Sequence, residues 1–267
     1  MSNVYSREKT NYSVAIDVVK FLLLAGVIVG VLSVGTERLG YHWQWYRVER
    51  YIFTFENNQF TAGPLLQGLW ITFKITAVSM VLAFAFGLVT AIFRLSDSLA
   101  ARAVAWSYLE IIRNTPLLIQ LFFIYFVISP VVDISAFTSA VLALSLFEGA
   151  YISEIFRSGI VSIDRGQWEA AHSLGMNTYE TYRHVILPQA VRRVLPPLTS
   201  QTISLIKDSA LVSTIAIYDL TMQGQAIIAE TFLAFEIWFT VAAIYLVVTG
   251  ALSFGVHALE ERMKIEQ

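Results

Sequence analysis

Residues 65–93 read LLQGLWITFKITAVSMVLAFAFGLVTAIF, an apolar run with a single charge, Lys74. A helix needs roughly 20 mainly apolar residues to cross the hydrocarbon core of a bilayer. Strands of a membrane barrel would alternate apolar and polar with a period of two. Val78–Leu88 shows no such alternation, and neither does Val18–Leu24. The run therefore predicts a transmembrane helix.

Working outward, five more stretches have the same length and flanking polarity: Ile16 to Val34, Val104 to Ile128, Phe137 to Phe156, Leu195 to Tyr218 and Phe235 to Leu259. With Leu65 to Phe93 they predict an all-α polytopic membrane protein of about six transmembrane helices. The composition agrees. Of 267 residues 56% are hydrophobic and 14% charged, whereas soluble chains carry about 25% charge. An aromatic content of 13% excludes a disordered chain. A net charge of −2 argues against a nucleic-acid partner, because such binders cluster positive charge. With no cysteine the chain has no disulfide, no thiolate chemistry and no Cys-based metal site.

Orientation follows from Lys and Arg outside the spans. With a cytoplasmic N-terminus the inner segments hold eleven, among them Arg94, Arg102, Arg165 and Arg193, and the outer segments hold three, Arg38, Arg47 and Arg50. Both termini are thus expected inside. The first span reads as an uncleaved signal anchor, although Ser33-Val34-Gly35 has the small-x-small look of a peptidase site. Gly26 and Gly30 form a GxxxG pattern, read as bland helix packing. Residues 1–64 comprise this helix and an aromatic segment (Tyr41, Trp43, Trp45, Tyr46, Tyr51) expected along the outer leaflet. Residues 65–260 form the core, with a loop of interest at 161–190.

Enzyme signatures are missing from the sequence. His42, His172, His184 and His257 are too scattered for HExxH, and there is no GxSxG. There is no GxxxxGK[ST], so the chain has no P-loop with which to bind ATP. The loop from Arg157 to Val194 is far longer than a bundle connection requires. Gln167 to Leu174 reads as a short helix ended by Gly175 in the left-handed conformation. Asn177 then caps a second helix carrying Tyr179, Tyr182 and Val185, which is expected to stop before Pro188. Short helices held outside the bilayer this way look like a docking surface.

Glu169-Ala170-Ala171, followed by Gly175, Val185 and Leu187-Pro188, resembles the EAA motif of membrane subunits of ATP-binding-cassette importers. Three further stretches, Ile112–Gln120 (IRNTPLLIQ), Ala150–Ile160 (AYISEIFRSGI) and Leu205–Ser213 (LIKDSALVS), resemble polar amino acid permeases of the histidine/glutamine/glutamate type. The family usually has isoleucine at the place of Val185 and glycine at the place of Asn114. The resemblance covers about Gly68 to Glu260, leaving residues 1 to 60 as an extra span. It implies a five-helix type I importer core in a bacterial inner membrane, whose coupling helix carries Glu169, Ala170, Ala171, Gly175, Leu187 and Pro188. The implied partners are a cytoplasmic ATPase dimer that binds the ATP, a second permease copy or homologue, an extracytoplasmic amino acid binding protein and the amino acid itself. No cofactor is implied for this chain.

The physics of the motif stands beside the name. Alanines at 170 and 171 leave room for a helix to settle into a groove, and both are expected to face it. Glu169 offers a carboxylate to a partner, or equally caps its own helix. Charges in or near the apolar runs form a second set. A membrane charge generally faces a bundle interior, a partner or a watery path. Arg113, Glu148, Glu154, Lys207 and Asp208 are candidates for the substrate path or a subunit contact. Local pairs, Glu110 with Arg113 and Glu154 with Arg157, are the competing reading. Asp208 and Lys207 are adjacent and diverge on a helix, so at least one needs a partner outside it. Pro116 is expected either to kink the third span or to sit harmlessly in its first turn. The leading function is a transport permease. Its alternatives are a permease for another small polar solute, a non-transporting scaffold and an intramembrane enzyme.

Overall fold

A computed structural model describes residues 11–38, 40–56 and 59–263. They divide into two compact units, up to Trp45 and from Tyr46 onward. In the first, helix α1 runs Asn11–Arg38, and the Trp43 and Trp45 rings stack with centroids 5.8 Å apart.

The second unit opens with the single turn α2 (Glu49–Ile52) and a hairpin of β1 (Phe53–Glu56) and β2 (Gln59–Ala62). The strands are antiparallel, with Phe55 opposite Phe60 and Thr54 opposite Thr61. Period-two alternation thus puts Phe53, Phe55 and Phe60 on one face and the threonines on the other. This hairpin was not expected from the sequence, where only aromatic content had been visible.

Then α3 (Pro64–Leu95) rises with Pro64 in its first turn, where a missing N–H is harmless. Its 32 residues extend about 48 Å, longer than a hydrocarbon core. Helix α7 (Ala136–Val161) is its main neighbour. The two backbones approach closely where Gly87 meets Ile152 and Gly149 meets Phe86. A cluster of Ile75, Leu121, Leu144, Leu205 and Val212 fills the centre.

The expected third span, Val104 to Ile128, is not one helix. Helix α4 (Leu99–Arg113) ends at Asn114, and α5 (Leu117–Phe122) continues through a π turn (Phe123–Ile128) into α6 (Ser129–Val132). The chain bends by 104° between the two arms. Pro116 disfavours helical backbone at Thr115 and its own N–H cannot continue the ladder, so the chain turns there. The Gln120 amide braces the corner by donating to the Ile112 carbonyl at 2.8 Å and the Thr115 carbonyl at 3.0 Å.

Beyond α7 come α8 (Arg165–Ser173), the turn α9 (Thr178–Thr181), α10 (Leu187–Asp208), α11 (Leu220–Thr231) and α12 (Ala234–Met263). The helix before Pro188 does not stop. It widens into a π turn over Tyr182–Ile186 and runs on into α10, which carries Pro188 in its first turn. The wider turn makes room for the proline ring that an α turn would push against the preceding carbonyl. The expected span Leu195 to Tyr218 breaks as well: α10 ends at Asp208, a 3₁₀ stretch covers Ser209–Ile215, and Ala216 is left-handed at φ 57°. Among the described residues four helices, α1, α3, α7 and α12, are long and apolar enough to cross a membrane. The bent pair makes a fifth. Helix α10 has the length but is too polar to count, with Arg192, Arg193, Gln201, Lys207 and Asp208 along it.

Candidate functional site

Local signals build the loop between α7 and α10. Asp164 caps α8, its Oδ1 accepting from the Gly166 N–H at 2.7 Å. At the other end the Met176 N–H donates to the Ala171 carbonyl (3.1 Å) and the Gly175 N–H to the His172 carbonyl (2.9 Å). That is a Schellman pair, and Gly175 supplies its left-handed residue at φ 77°. Two residues later Asn177 and Glu180 exchange hydrogen bonds at 3.0 and 2.9 Å, a reciprocal capping box that starts the next helix. Trp168 meets Tyr182 edge-on at 5.2 Å, closing the α8 turn onto the following helix. Gln189 donates to Gln167 at 3.1 Å, and Arg193 donates to the Ser162 carbonyl.

The two alanines of α8 do not share a face. Ala171 is buried within the chain at 2% exposure, while Glu169 and Ala170 are exposed. Neighbours on a helix are about 100° apart, so one alanine packs inward and the other is offered outward. The expectation that both face a groove is corrected accordingly. Helix α8 begins at Arg165 rather than Gln167, and Asp164 caps it, so Glu169 is not its cap. Leu174 (76%) and Tyr179 (67%) add exposed apolar surface beside Ala170. Sequence reading had not singled out Leu174, although an apolar residue at a helix end just before a glycine stop was visible. Leu187 and Pro188 are both exposed at the start of α10.

The membrane charges fall into two groups. Glu148 of α7 is wholly buried, and Gln201 of α10 donates to its Oε2 at 2.6 Å. Its Oε1 has no hydrogen-bond partner among the described residues. Asp208, at the end of α10, follows Gln201 by two turns and so stands on the same side of that helix. Lys207 is exposed and Asp208 half-buried, as adjacent residues on a helix diverge. Gln201 was missed because only charges had been weighed. Its signal was an amide inside an apolar stretch.

The second group joins the ends of α3, α4 and α7. Glu154 pairs with both Arg94 and Arg157, the latter at 3.1 Å. Arg113 lies over the Tyr151 ring, 6.0 Å from its centroid. It does not pair with Glu110, contrary to the i,i+3 reading. Glu110 instead accepts from the Asn114 amide at 2.8 Å as the chain turns the corner. Lys74 similarly lies over the Phe137 ring at 5.4 Å.

Apolar helices interrupted after α4 and after α10, with two short helices held on the loop between α7 and α10, are the features of a polytopic membrane protein. The chain belongs to the family described as binding-protein-dependent transport system inner membrane component, whose model matches residues 83–265. Among its relatives is the glutamine transport system permease protein GlnP of Escherichia coli, 43% identical over 75% of this chain and 93% of the relative. The L-cystine transport system permease protein TcyB of Bacillus subtilis is 40% identical over 75% of this chain and 87% of the relative. A crystal structure of an amino acid ABC transporter with histidines superposes with a TM-score of 0.71 at 40% identity. That likeness covers 74% of this chain and 94% of the other. The MetNI methionine ABC transporter, 21% identical with a TM-score of 0.62, shares the fold over 75% of this chain and 96% of the other. The type I importer permease fold and the membrane location therefore hold, and the relatives are permeases rather than enzymes.

Proposed function

We propose that the chain is the permease subunit through which a polar amino acid crosses the inner membrane. A separate cytoplasmic ATPase, docked on the outer face of α8, drives the step and binds the ATP. An extracytoplasmic binding protein delivers the solute, and a second copy or a homologue completes the path. The observation that carries this reading is the loop. Schellman stop, capping box and aromatic clasp hold α8 rigid while leaving Glu169, Ala170 and Leu174 exposed. A rigid exposed helix suits a partner's groove, because little order remains to be gained on docking.

In this reading both termini are cytoplasmic and so is the loop, as the distribution of Lys and Arg favours. The natural absence of cysteine makes the test clean. A cysteine at Arg165 should react with membrane-impermeant maleimide only in inside-out vesicles. Labelling in intact spheroplasts overturns the orientation.

Glu148, Lys207 and Asp208 are proposed to line the path. Glu148 keeps a buried carboxylate oxygen without a hydrogen-bond donor, a costly arrangement that a polar solute passing between α7 and α10 would relieve. Hydrogen bonds to charged groups contribute about 1.5–3 kcal/mol. Asp208→Asn should therefore lower uptake of labelled glutamine or cystine in proteoliposomes about tenfold or more, with the folded yield unchanged. Uptake equal to wild type removes Asp208 from the path. Failure of both solutes to be carried by the wild-type chain with its ATPase, while another polar solute is carried, moves the substrate outside the amino acids.

A further inference from the structure

Helices α3 and α7 bring two guanidinium groups to one carboxylate, and α4 adds a third arginine, Arg113, over the Tyr151 ring one turn before Glu154 on α7. Arg94 and Arg157 both pair with Glu154. Tyr151, under Arg113, stands one turn before Glu154 on the same helix, so Arg113 lies beside this pair of arginines. Among the described residues no carboxylate lies within ion-pair distance of Arg113. The cluster thus carries an excess of positive charge, and it sits on the C-terminal parts of three helices rather than on a free loop.

The 104° corner says what surrounds it. If α5 with its continuation crosses the bilayer, α4 must run nearly along the membrane plane. Its side-chain distribution fits that course. Ala105, Leu109 and Ile112 are buried against the bundle, while Leu99, Val104, Trp106 and Ile111 are exposed by 61% or more. A helix with apolar residues, a tryptophan and arginines on its open sides is suited to the boundary between headgroups and acyl chains. The Lys and Arg count puts this boundary on the cytoplasmic side, where anionic lipids attract arginines near the surface.

We infer that Arg94, Arg113 and Arg157 form a binding site for the phosphate of an anionic phospholipid of the cytoplasmic leaflet, with α4 lying beside it in the interface. Glu154 holds two of the arginines in place, and Arg113 is the arm free of an acidic partner. This site is independent of the transport reading, since it can be measured without uptake.

The test uses the full chain in micelles containing equal amounts of phosphatidylglycerol and phosphatidylcholine, released for native mass spectrometry. Wild type should retain phosphatidylglycerol in preference to phosphatidylcholine. Arg113→Gln should cut that retention about fivefold, and Arg113→Lys should keep most of it, because the charge remains. Arg113 is exposed and its side chain takes part in no ion pair, so the variant should fold. Helix content by circular dichroism verifies this. Should Arg113→Gln nevertheless misfold, Arg157→Lys against Arg157→Gln repeats the comparison from the other side of the cluster. Equal retention of the two lipids by wild type overturns the proposal, as does unchanged retention in both glutamine variants. Displacement of the lipid by added inorganic phosphate overturns it in favour of a free-anion site. Loss of a co-purifying permease subunit from Arg113→Gln, with lipid retention intact, assigns the arginines to a subunit contact instead.

Discussion

Ala170→Trp should abolish uptake while leaving a folded permease in the membrane. Ala170 lies on the exposed face of α8, so the indole meets no atom of its own chain that must move. In the docking reading it meets the ATPase groove, and overpacking a close contact costs typically 1–3 kcal/mol. That alone is up to about a hundredfold in affinity. Uptake should fall at least tenfold, and the ATPase should no longer co-purify. Ala171→Trp separates docking from folding. Ala171 is buried, so its indole must break the α8 turn itself, and the expected result is proteolytic nicking between Arg165 and Pro188. Gly175→Val should act in the same way but through the backbone. The space there is open, and the cost is the left-handed φ of 77°. If Ala170→Trp keeps both the ATPase and normal uptake, the outer face of α8 is not the docking face.

Gly149→Leu should cost most of the folded protein. A Cβ at Gly149 would stand 2.9 Å from Phe86 Cβ, 3.0 Å from the Tyr108 hydroxyl and 3.3 Å from the Ala83 carbonyl oxygen. A leucine adds three more carbons in the same space, between α3 and α7, whose crossing organises the core. Neither helix can yield locally, because Gly87 of α3 is equally close to Ile152 of α7. The expected cost of about 1–3 kcal/mol or more is a large share of a marginal total. Monodisperse protein after detergent extraction should fall several-fold or disappear. Gly250→Leu is the control. Nothing lies within 4 Å of its Cβ position, and its yield should match wild type. Equal yields from the two variants would mean that α3 and α7 do not cross this closely in the membrane.

Much of the loop was legible in advance because its devices are local. Gly175 two residues before Asn177 names a left-handed stop and a new helix cap without reference to anything distant, while the reciprocal bond from Glu180 emerged only in the structure. The inward turn of Ala171 was not legible. A pair of adjacent alanines looks the same from either side until Thr181 and Ile186, also buried, show which way the core lies. Pro188 misled for a related reason. Proline forbids an ordinary helical bond, but a π turn reached by relaxing five residues was cheaper for the chain than stopping.

The sequence by itself determined that this chain lives in a membrane, since a 29-residue, mainly apolar run with one charge is not solvated in water, and which family it belongs to, since four separate motifs agree. It also determined where the loop turns and starts again, because those are contacts between residues two to five apart. Only the tertiary structure decided the angle at Pro116, the partner of Glu148 and the sharing of Glu154. Hydropathy counts apolar residues without direction, so a 104° corner and a straight span score alike. Gln201 lies 53 residues from Glu148 and Arg94 lies 60 from Glu154. Such pairs form only because α3, α7 and α10 pack side by side, and that packing is set by whole helix faces rather than by any residue's neighbours in the chain.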